Sequence, residues 1–256
     1  MQGLLSNKNI LIMGLRNKWS ISWGIAKAVH AEGGKVIFTY QGEREKANAQ
    51  DLAKDLGNSA IYSCDIGSDE EINSLFSSIK SDFGRLDGMV HAIAHANRED
   101  LVNGFIETSR SGFSHAMDIS VYSLVAACKK AQELMTNGGG IVTLSYLGSE
   151  RVLQGYNVMG VAKAALEASV RYLAPDLGKN GIRINAISSG PIKTISAKAI
   201  KDFSNILDAV EEKAPLKRGV TQDDIGGSAL YLLSNLSSGM TGEVIYVDCG
   251  YNIMGI

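Results

Sequence analysis

The residues whose types and spacing indicate chemistry are two tyrosines and a lysine, Tyr146, Tyr156 and Lys163. In a helix, seven residues at 100° each bring Tyr156 and Lys163 to within about 20° of the same face, two turns apart. An ammonium group near a phenol lowers the phenol's pKa and can hold ribose hydroxyls, and a phenol so placed can donate to an oxygen that becomes negative. The same spacing also occurs in simple surface pairs, so the position in the fold has to decide between the two interpretations.

A candidate phosphate-binding turn follows the first apolar run. The run at 9–13 ends at Gly14, and Ser20 and Ile21 open a stretch with the apolar spacing of a helix. A glycine at a strand exit lets the backbone approach a ligand, and the free N–H groups of a helix N-terminus attract phosphate. The segment lacks the full G-x-G-x-x-G pattern, and a turn with no ligand is the alternative. Its place between the first strand and the first helix favours a dinucleotide site.

The next two predicted strands end in residues that would meet an adenosine. Gln41 stands at the tip of the second strand, where dinucleotide-binding folds usually carry an acidic residue for the ribose 2′-hydroxyl. Asp65 closes the third strand and is placed to accept from the adenine amino group, with a helix-capping aspartate as the alternative. Neutral Gln41 followed by acidic Glu43 favours NADH over NADPH, because a 2′-phosphate needs cationic donors. Arg44 argues against this preference, because an arginine is such a cationic donor.

Short apolar runs and amphipathic stretches alternate along the whole chain and must position these residues. Strands are predicted at 9–13, 35–40, 60–64, 88–93, 140–146, 182–188 and 243–248, and helices over 21–32, after Ser68, and over 111–136, 158–178 and 222–234. Several runs are apolar nearly throughout, as in strands covered on both faces. This alternation is typical of βαβ units and a parallel sheet. The sequence therefore predicts a doubly wound α/β fold of Rossmann type with about seven strands.

Composition limits the classes of protein that this chain can represent. No composition shift or repeat divides the 256 residues, so one domain, 1–256, is predicted. An apolar content of 45% excludes a disordered chain, and a net charge of −2 argues against nucleic-acid or anionic-membrane partners. Three cysteines without C-x-x-C spacing, and no apolar run of about 18 residues, favour a reduced, cytoplasmic protein. His30, His91 and His115 show no ligand spacing, so no metal is predicted.

The arrangement Tyr146-x9-Tyr156-x6-Lys163, with Tyr-Asn-Val-Met-Gly-Val-Ala-Lys-Ala intact from Tyr156, resembles the enoyl-acyl-carrier-protein reductases of bacterial type II fatty-acid synthesis. These enzymes are a branch of the short-chain dehydrogenase/reductase superfamily, and the resemblance covers essentially the whole chain. Ordinary superfamily members carry Tyr-x3-Lys, whereas the fourth residue after Tyr156 is Gly160. That spacing speaks against a ketoacyl reductase.

The resemblance implies reduction of trans-2-enoyl-acyl-carrier-protein with NADH, the last step of the fatty-acid elongation cycle, by a homotetramer. It implies that Tyr146, Tyr156 and Lys163 are catalytic and that Ala96 contacts the substrate. The cofactor contacts carried over to matching positions are Gly14, Ser20, Ile21, Gln41, Asp65, Ile66, Ile93, Lys163, Ile192, Lys193, Thr194, Ile195 and Ser196.

The segment 192–212 matches a mobile lid over the acyl pocket of the family. Ile200, Phe203 and Leu207 lie at helical spacing and would give the lid an apolar inner face that excludes water. An ordinary packed helix is the alternative.

The sequence departs from the family pattern at three positions. His95 stands where phenylalanine is usual, which predicts a more polar pocket on the thioester side. Gly155 precedes Tyr156 in place of the more usual asparagine, and Cys249 replaces a glycine or serine.

Two other functions stay open on the sequence. One is a short-chain reductase acting on another enone or carbonyl compound. The other is a non-catalytic Rossmann domain that senses the redox state of its nucleotide, although the intact tyrosine–lysine pair weighs against it.

Overall fold

Seven short strands pair in parallel to form one sheet. The computed structural model describes residues 3–194 and 203–255, with the side chains from 207 onward in the second range. The strands are β1 (Asn9–Met13), β2 (Lys35–Tyr40), β3 (Ala60–Ser63), β4 (Gly88–His91), β5 (Gly139–Tyr146), β6 (Ile182–Ser189) and β7 (Val244–Val247). Their order across the sheet is β3-β2-β1-β4-β5-β6-β7. The strand order reverses between β1 and β4, which confirms the doubly wound α/β prediction.

Helices cover both faces of the sheet. Within the described residues they are α1 (Ile21–Ala31), α2 (Gly42–Asp55), α3 (Asp69–Phe83), α4 (Arg98–Val102), α5 (Arg110–Met117), α6 (Ser123–Leu134), α7 (Val158–Gly178), α8 (Phe203–Lys213) and α9 (Gln222–Leu233). Buried residues of α3, α6 and α7 form one hydrophobic cluster, and those of α1, α2 and α9 form the other. No helix in the described ranges has the length and apolar composition that a bilayer crossing requires.

Strand β1 shows how the sheet separates these two cores. All five of its residues are buried, and Leu11 and Met13 belong to one cluster while Ile10 and Ile12 belong to the other. Successive side chains of a strand point to opposite faces, so a strand covered on both sides is apolar nearly throughout. The interpretation of these runs as buried parallel strands is confirmed.

The start of α3 also follows its sequence signal. Ser68 is the N-cap residue, and its Oγ accepts from the backbone N–H of Glu71 at 3.3 Å. The four apolar residues at helical spacing, Ile72, Leu75, Phe76 and Ile79, are all buried. This side-chain cap satisfies one of the N–H groups that a helix start leaves free.

The predicted helix over 111–136 is interrupted by one wide turn. A π-helical turn, Asp118–Tyr122, joins α5 to α6. In this turn Ser120 Oγ accepts from His95 N at 3.0 Å and lies 3.1 Å from His95 O, to which it donates. Such single-turn insertions are frequent at functional sites. The apolar periodicity of the sequence does not reveal such a turn, because the turn inserts only a single residue into an otherwise helical pattern.

Helix α2 was not predicted, since it is polar over most of its surface. Only Ala49, Leu52 and Ala53 are buried in it. The short α4 was missed as well, because five residues are too few for a periodic pattern.

Candidate active site

The predicted site residues gather at the carboxyl edge of the sheet. Because all seven strands are parallel, the segments that follow them start from the same edge. Gly14 follows β1, Gln41 follows β2, Tyr146 ends β5, and Ile192 lies three residues after β6. The reversal of strand order between β1 and β4 marks the crevice in which open α/β sheets bind ligands.

Gly14 allows the chain to leave β1 in close contact with the end of β4. Its φ is +89°, and a Cβ at this position would lie 2.2 Å from the carbonyl oxygen of Ala92 and 3.2 Å from Cγ1 of Ile93. Only glycine combines this conformation with so close an approach. Gly14 and Ile93, both predicted cofactor contacts, therefore lie side by side.

The N-terminus of α1 lies at the same edge. Ser20 is the N-cap residue and Ile21 the first helical residue, as predicted. Ser20 Oγ accepts from Asn17 N at 3.2 Å, and Gln222 Nε2 donates to Ser20 O at 2.6 Å. The first N–H groups of a helix lack intrahelical partners and attract anions. This turn can therefore hold a phosphate.

Gln41 and Asp65 mark the ends of β2 and β3. Gln41 is the exposed N-cap residue of α2. Asp65 Oδ1 accepts from Gly67 N at 2.9 Å, in a turn that precedes α3. Since Ser68 caps α3, the helix-capping alternative for Asp65 is wrong. Ile66 is buried in the core beside α3.

Tyr156 precedes α7 and is not part of it. The helix begins at Val158, and its N-cap residue Asn157 has a φ of 42° and a ψ of −119°. Asn157 Nδ2 donates to the carbonyl oxygen of Leu101 at 3.1 Å, which ties this turn to α4. The prediction that Tyr156 and Lys163 share one helix face is therefore wrong, because the chain turns sharply at Asn157.

Two glycines make room for the Tyr156 ring. A Cβ on Gly148 would lie 2.4 Å from Cδ1 of Tyr156, and a Cβ on Gly160 would lie 2.8 Å from the carbonyl oxygen of Gly148. The ring also contacts Tyr146 edge to face, with ring centroids 5.0 Å apart at 75°. At Gly160, where ordinary superfamily members carry their lysine, a side chain has no room.

Desolvation raises the pKa of both tyrosines. It raises the pKa of Tyr146 to about 12, and it raises the pKa of Tyr156 well above its ordinary value, with smaller effects from Tyr146 and the Glu167 carboxylate. The expected lowering of the Tyr156 pKa by an ammonium is wrong, because the loss of hydration dominates. Tyr156 therefore stays protonated at neutral pH. Within the described ranges its hydroxyl donates to no other group, so it is available to a ligand.

Lys163 is buried beneath the end of β5. Its Nζ donates to the carbonyl oxygen of Leu144 at 2.7 Å. Burial lowers the pKa of Lys163 to about 8, while the carboxylate of Glu167, one helical turn further on, opposes that shift. Glu167 is itself buried and accepts from Ser145 Oγ. At neutral pH the site therefore keeps a desolvated positive charge.

His91 is the last residue of β4 and lies in the core next to the candidate site. It is fully buried, with Nδ1 3.2 Å from Thr143 Oγ1 and Nε2 2.8 Å from Ser123 Oγ. Burial lowers its pKa to about 3, so the imidazole is neutral. The imidazole thus bridges Thr143 of β5 and Ser123 of α6 inside the core. The described ranges contain no cluster of three or more His, Cys, Asp or Glu side chains that could hold a metal ion.

His95 belongs to a histidine pair next to the predicted substrate contact Ala96. His95 Nδ1 lies 2.9 Å from His115 Nε2, and the two rings meet edge to face. Ala96 is half-buried against the core. The polar character expected at His95 is therefore shared by a second ring that sequence spacing did not connect to it.

The segment after β6 is described as far as Thr194. Ile192 is half-buried against the core that contains α1, and Lys193 is exposed. Ile195 and Ser196 lie outside the described residues.

A small cavity lies between α8 and Tyr146. It has a volume of about 30 Å³ and lies between Tyr146, Pro191 and Val210 of α8. Ile200 and the side chain of Phe203, both predicted for the lid, lie outside the described part of the chain.

These residues fit a nicotinamide dinucleotide. Gly14 lets the chain leave β1 tightly against the end of β4, α1 directs its free N–H groups to the same edge, and Lys163 supplies a buried cation beneath β5. Comparison with known proteins agrees. The family model described as enoyl-(acyl carrier protein) reductase matches residues 14–252. The chain belongs to this enoyl reductase family.

Relatives in the family match the chain over nearly its full length. The enoyl-(acyl-carrier-protein) reductase (NADH) FabI of Bacillus cereus is 52% identical over 254 residues, or 98% of this chain and 99% of that protein. FabI of Bacillus subtilis is 51% identical over 97% of both chains. The crystal structure of the Bacillus cereus reductase with NADP+ and indole naphthyridinone has a TM-score of 0.98, covering 99% of this chain and 100% of that one at 52% identity. The reductase of Anaplasma phagocytophilum in complex with NAD has a TM-score of 0.95 at 46% identity, covering 100% of this chain and 96% of that one.

Three residues of this enoyl reductase were missed by the sequence reasoning. The spacing of Lys163 and Glu167, four residues apart on a predicted helix, was a signal for Glu167. Gly148 carried no signal, since only the fold brings Tyr156 against it. Arg16, two residues after Gly14, contacts α2, and a helix that was not predicted gave no reason to single it out.

Proposed function

We propose that this chain reduces trans-2-enoyl-acyl-carrier-protein to the saturated acyl-carrier-protein with NADH, the last step of the fatty-acid elongation cycle. The observation that carries the proposal is the placement of Tyr146, Tyr156 and Lys163 around the end of β5, at the carboxyl edge of a doubly wound sheet. The family match and the names of the relatives support the substrate and the cofactor.

Tyr156 is the hydrogen-bond donor to the substrate in this proposal. When bound, a reduced nicotinamide supplies the hydride that the β-carbon of the enoyl thioester accepts. Negative charge then develops on the thioester carbonyl oxygen as the double bond becomes an enolate, and the protonated Tyr156 hydroxyl donates a hydrogen bond to that oxygen. A proton delivered to the α-carbon through Tyr156 or water completes the saturated thioester. A fixed donor in a desolvated site stabilises such charge strongly. Tyr146 supports the Tyr156 ring from the side.

Lys163 positions the cofactor in this proposal. Its ammonium has three N–H donors, of which one is used by Leu144 O, so two can bind ribose hydroxyls. Its positive potential in a buried setting also favours charge development at the neighbouring substrate oxygen. Gly14, Ser20, Gln41 and Asp65 provide the remaining surface along β1, β2 and β3.

We also propose that the segment 192–212 covers the acyl chain. Support comes from Val210, which α8 places beside Tyr146 and Pro191. Replacement of Val210 by Asp is expected to raise KM for long-chain enoyl thioesters more than for crotonyl-CoA, since only a long chain buries much apolar surface. An equal increase for all chain lengths would contradict the lid.

We also propose a partner, an oligomeric state and a compartment for the enzyme. The acyl carrier protein presents the substrate to a homotetramer, and the exposed Ile106 and Tyr172, 91% and 81% accessible, support burial in such an assembly. Three free, buried cysteines fit a reducing compartment, the cytoplasm. Light scattering is expected to give a particle mass four times that of the 27.3 kDa chain.

One assay separates the proposed function from its alternatives. Loss of reduced-cofactor absorbance is measured with crotonyl-CoA and, separately, with acetoacetyl-CoA. Turnover of crotonyl-CoA alone is expected. Turnover of acetoacetyl-CoA alone would support a carbonyl reductase, and NADH binding without turnover of either would support a sensor.

A further inference from the structure

The loop after β1 is fastened to α2 through Arg16. Arg16 Nε donates to Glu45 Oε1 at 3.0 Å, and Nη2 donates to the same oxygen. The backbone of the loop is held as well, because Asn48 Nδ2 donates to the carbonyl oxygen of Arg16. Glu45 and Asn48 lie three residues apart and so share one face of α2. We infer that this Arg16–Glu45 pair is the element by which the enzyme discriminates against the 2′-phosphate of NADPH.

The pair lies where a dinucleotide-binding fold meets the adenosine ribose. Strands β1 and β2 are neighbours, with Ile12 opposite Phe38, so the exits of the two strands lie side by side. Arg16 is in the segment that leaves β1, and α2 begins directly after Gln41 at the end of β2. In such folds the residues at the end of the second strand contact the ribose 2′-hydroxyl, and an arginine near this position accommodates a 2′-phosphate. Arg16 is thus close to the place where a 2′-phosphate would need it.

The carboxylate of Glu45 opposes that use of Arg16 in two ways. It occupies the Nε–Nη2 edge of the guanidinium, which is the edge that binds an anion through two parallel hydrogen bonds. It also adds a negative charge beside a 2′-phosphate that would carry nearly two more. A ribose with a free 2′-hydroxyl is neutral and meets no such repulsion. The pair therefore selects against NADPH while leaving NADH acceptable.

The cations in the first turns of α2 are a weaker basis for 2′-phosphate binding than Arg16. Lys46 Nζ donates to both carboxylate oxygens of Glu43, at 3.1 and 3.0 Å. Arg44 is exposed and makes no ion pair among the described residues. Arg16, in the loop after β1, is by contrast also held through its backbone carbonyl, which fixes the position from which its side chain extends.

The inference rests on the proposed dinucleotide-dependent function, and the test uses binding as well as turnover. The full-length protein is titrated by calorimetry with 5′-AMP, 2′,5′-ADP, NADH and NADPH. The variants are Glu45→Gln, the double variant Glu45→Gln with Arg16→Ala, and Asp51→Asn as a matched control. Asp51 forms an equivalent ion pair with Lys54 at 2.9 Å in the C-terminal half of α2.

In the Glu45→Gln variant the ratio of Kd for 2′,5′-ADP to Kd for 5′-AMP is expected to fall at least tenfold, and the ratio for NADPH to NADH is expected to fall with it. The Asp51→Asn ratio is expected to change less than twofold, and the double variant is expected to return to the wild-type ratio. Arg16→Ala alone, which leaves Glu45 unneutralised, is expected to raise the ratio and tests the inference even if Glu45→Gln is poorly folded.

Three results would overturn the inference. The first is an unchanged ratio of Kd for 2′,5′-ADP to Kd for 5′-AMP in Glu45→Gln. The second is a fall in this ratio that persists in the double variant, and the third is an equal fall in Asp51→Asn. A gain lost only when Arg44 is replaced by Ala in the Glu45→Gln background would assign the discrimination to Arg44 instead. Failure of the wild-type protein to bind NADH would contradict the proposed function itself, which separates that outcome from the other results.

Discussion

The ring of Tyr156 meets the ring of Tyr146 edge to face, with 5.0 Å between the ring centroids. One tyrosine ends a central strand and the other precedes a helix, so this contact joins two elements that the intervening loop would otherwise leave independent. Edge-to-face packing is the favoured geometry for two aromatic rings. It fixes the direction of the Tyr156 hydroxyl before any substrate arrives.

Replacement of Tyr156 by Phe is expected to reduce kcat for crotonyl-CoA by roughly 100-fold, because one donor to a developing oxyanion is lost. The Kd for NADH is expected to stay within about twofold, since the ring still packs on Tyr146. Stopped-flow and equilibrium binding measurements check the two quantities. The matched variant Tyr146→Phe should lose less, and an unchanged kcat in Tyr156→Phe would remove this hydroxyl from the mechanism.

Lys163 is expected to make stability depend on pH. Its pKa of about 8 in the folded protein lies below the ordinary 10.5, so the unfolded chain binds more protons between these values. The stability contribution of this group therefore rises as pH increases from 8 to 10.5 and is lowest below 8. Relative to Lys163→Met, the wild-type protein should gain about 2 kcal/mol of unfolding free energy from pH 7 to pH 10, by the conversion of pKa shifts to energy.

Urea unfolding at the two pH values measures this difference. Lys179→Met is the control, because Lys179 follows the same helix and its side chain is 74% exposed. A smaller change with pH is expected in the difference between wild type and that variant, because the Lys179 side chain stays hydrated in the folded protein. An equal change for both lysines would mean that burial of Lys163 is not the cause.

Glu167 is expected to tune Lys163 without contacting the substrate. Its carboxylate raises the pKa of Lys163 against the effect of burial. In Glu167→Gln the amide can still accept from Ser145 Oγ, but the charge is gone, so the pKa of Lys163 should fall further. NADH affinity should then begin to decrease at a lower pH than in the wild type. A binding profile from pH 6 to pH 10 tests this, and superimposable profiles would contradict the coupling.

Gly148→Ala is expected to displace the Tyr156 ring. The added Cβ would lie 2.4 Å from Cδ1 of Tyr156, which is closer than atoms tolerate. We expect kcat to fall at least tenfold with a smaller change in the Kd for NADH. Gly178→Ala on α7 is the control, because nothing lies within 4 Å of its added Cβ. Full activity of Gly148→Ala would show that the ring can move without consequence.

Much of the framework was predictable because it depends on local patterns. The central strands are buried on both faces, so their apolar runs stand out. Ser20 and Ser68 carry side-chain types that begin helices. Parallel strands then place every following segment at one edge. Gly14 and Tyr146 could therefore be assigned to a common site without any knowledge of distances.

The geometry around Tyr156 was not predictable in the same way. A helical extrapolation from Lys163 fails at Asn157, since the positive φ there is maintained by hydrogen bonds to the chain near α4, more than fifty residues away. The pKa of Tyr156 likewise depends on desolvation, which sequence spacing does not measure. The start of the helix and the pKa of Tyr156 both depend on non-local contacts.

The closeness of Gly160 to the Gly148 carbonyl also limits how such enzymes can diverge. A lysine moved from position 163 to position 160 would shift by three residues, about 4.5 Å along the helix axis. Its Cβ would lie only 2.8 Å from the Gly148 oxygen. Exchange between the two spacings therefore cannot proceed through a single viable substitution. The loop after β5 would have to move before position 160 could carry any side chain.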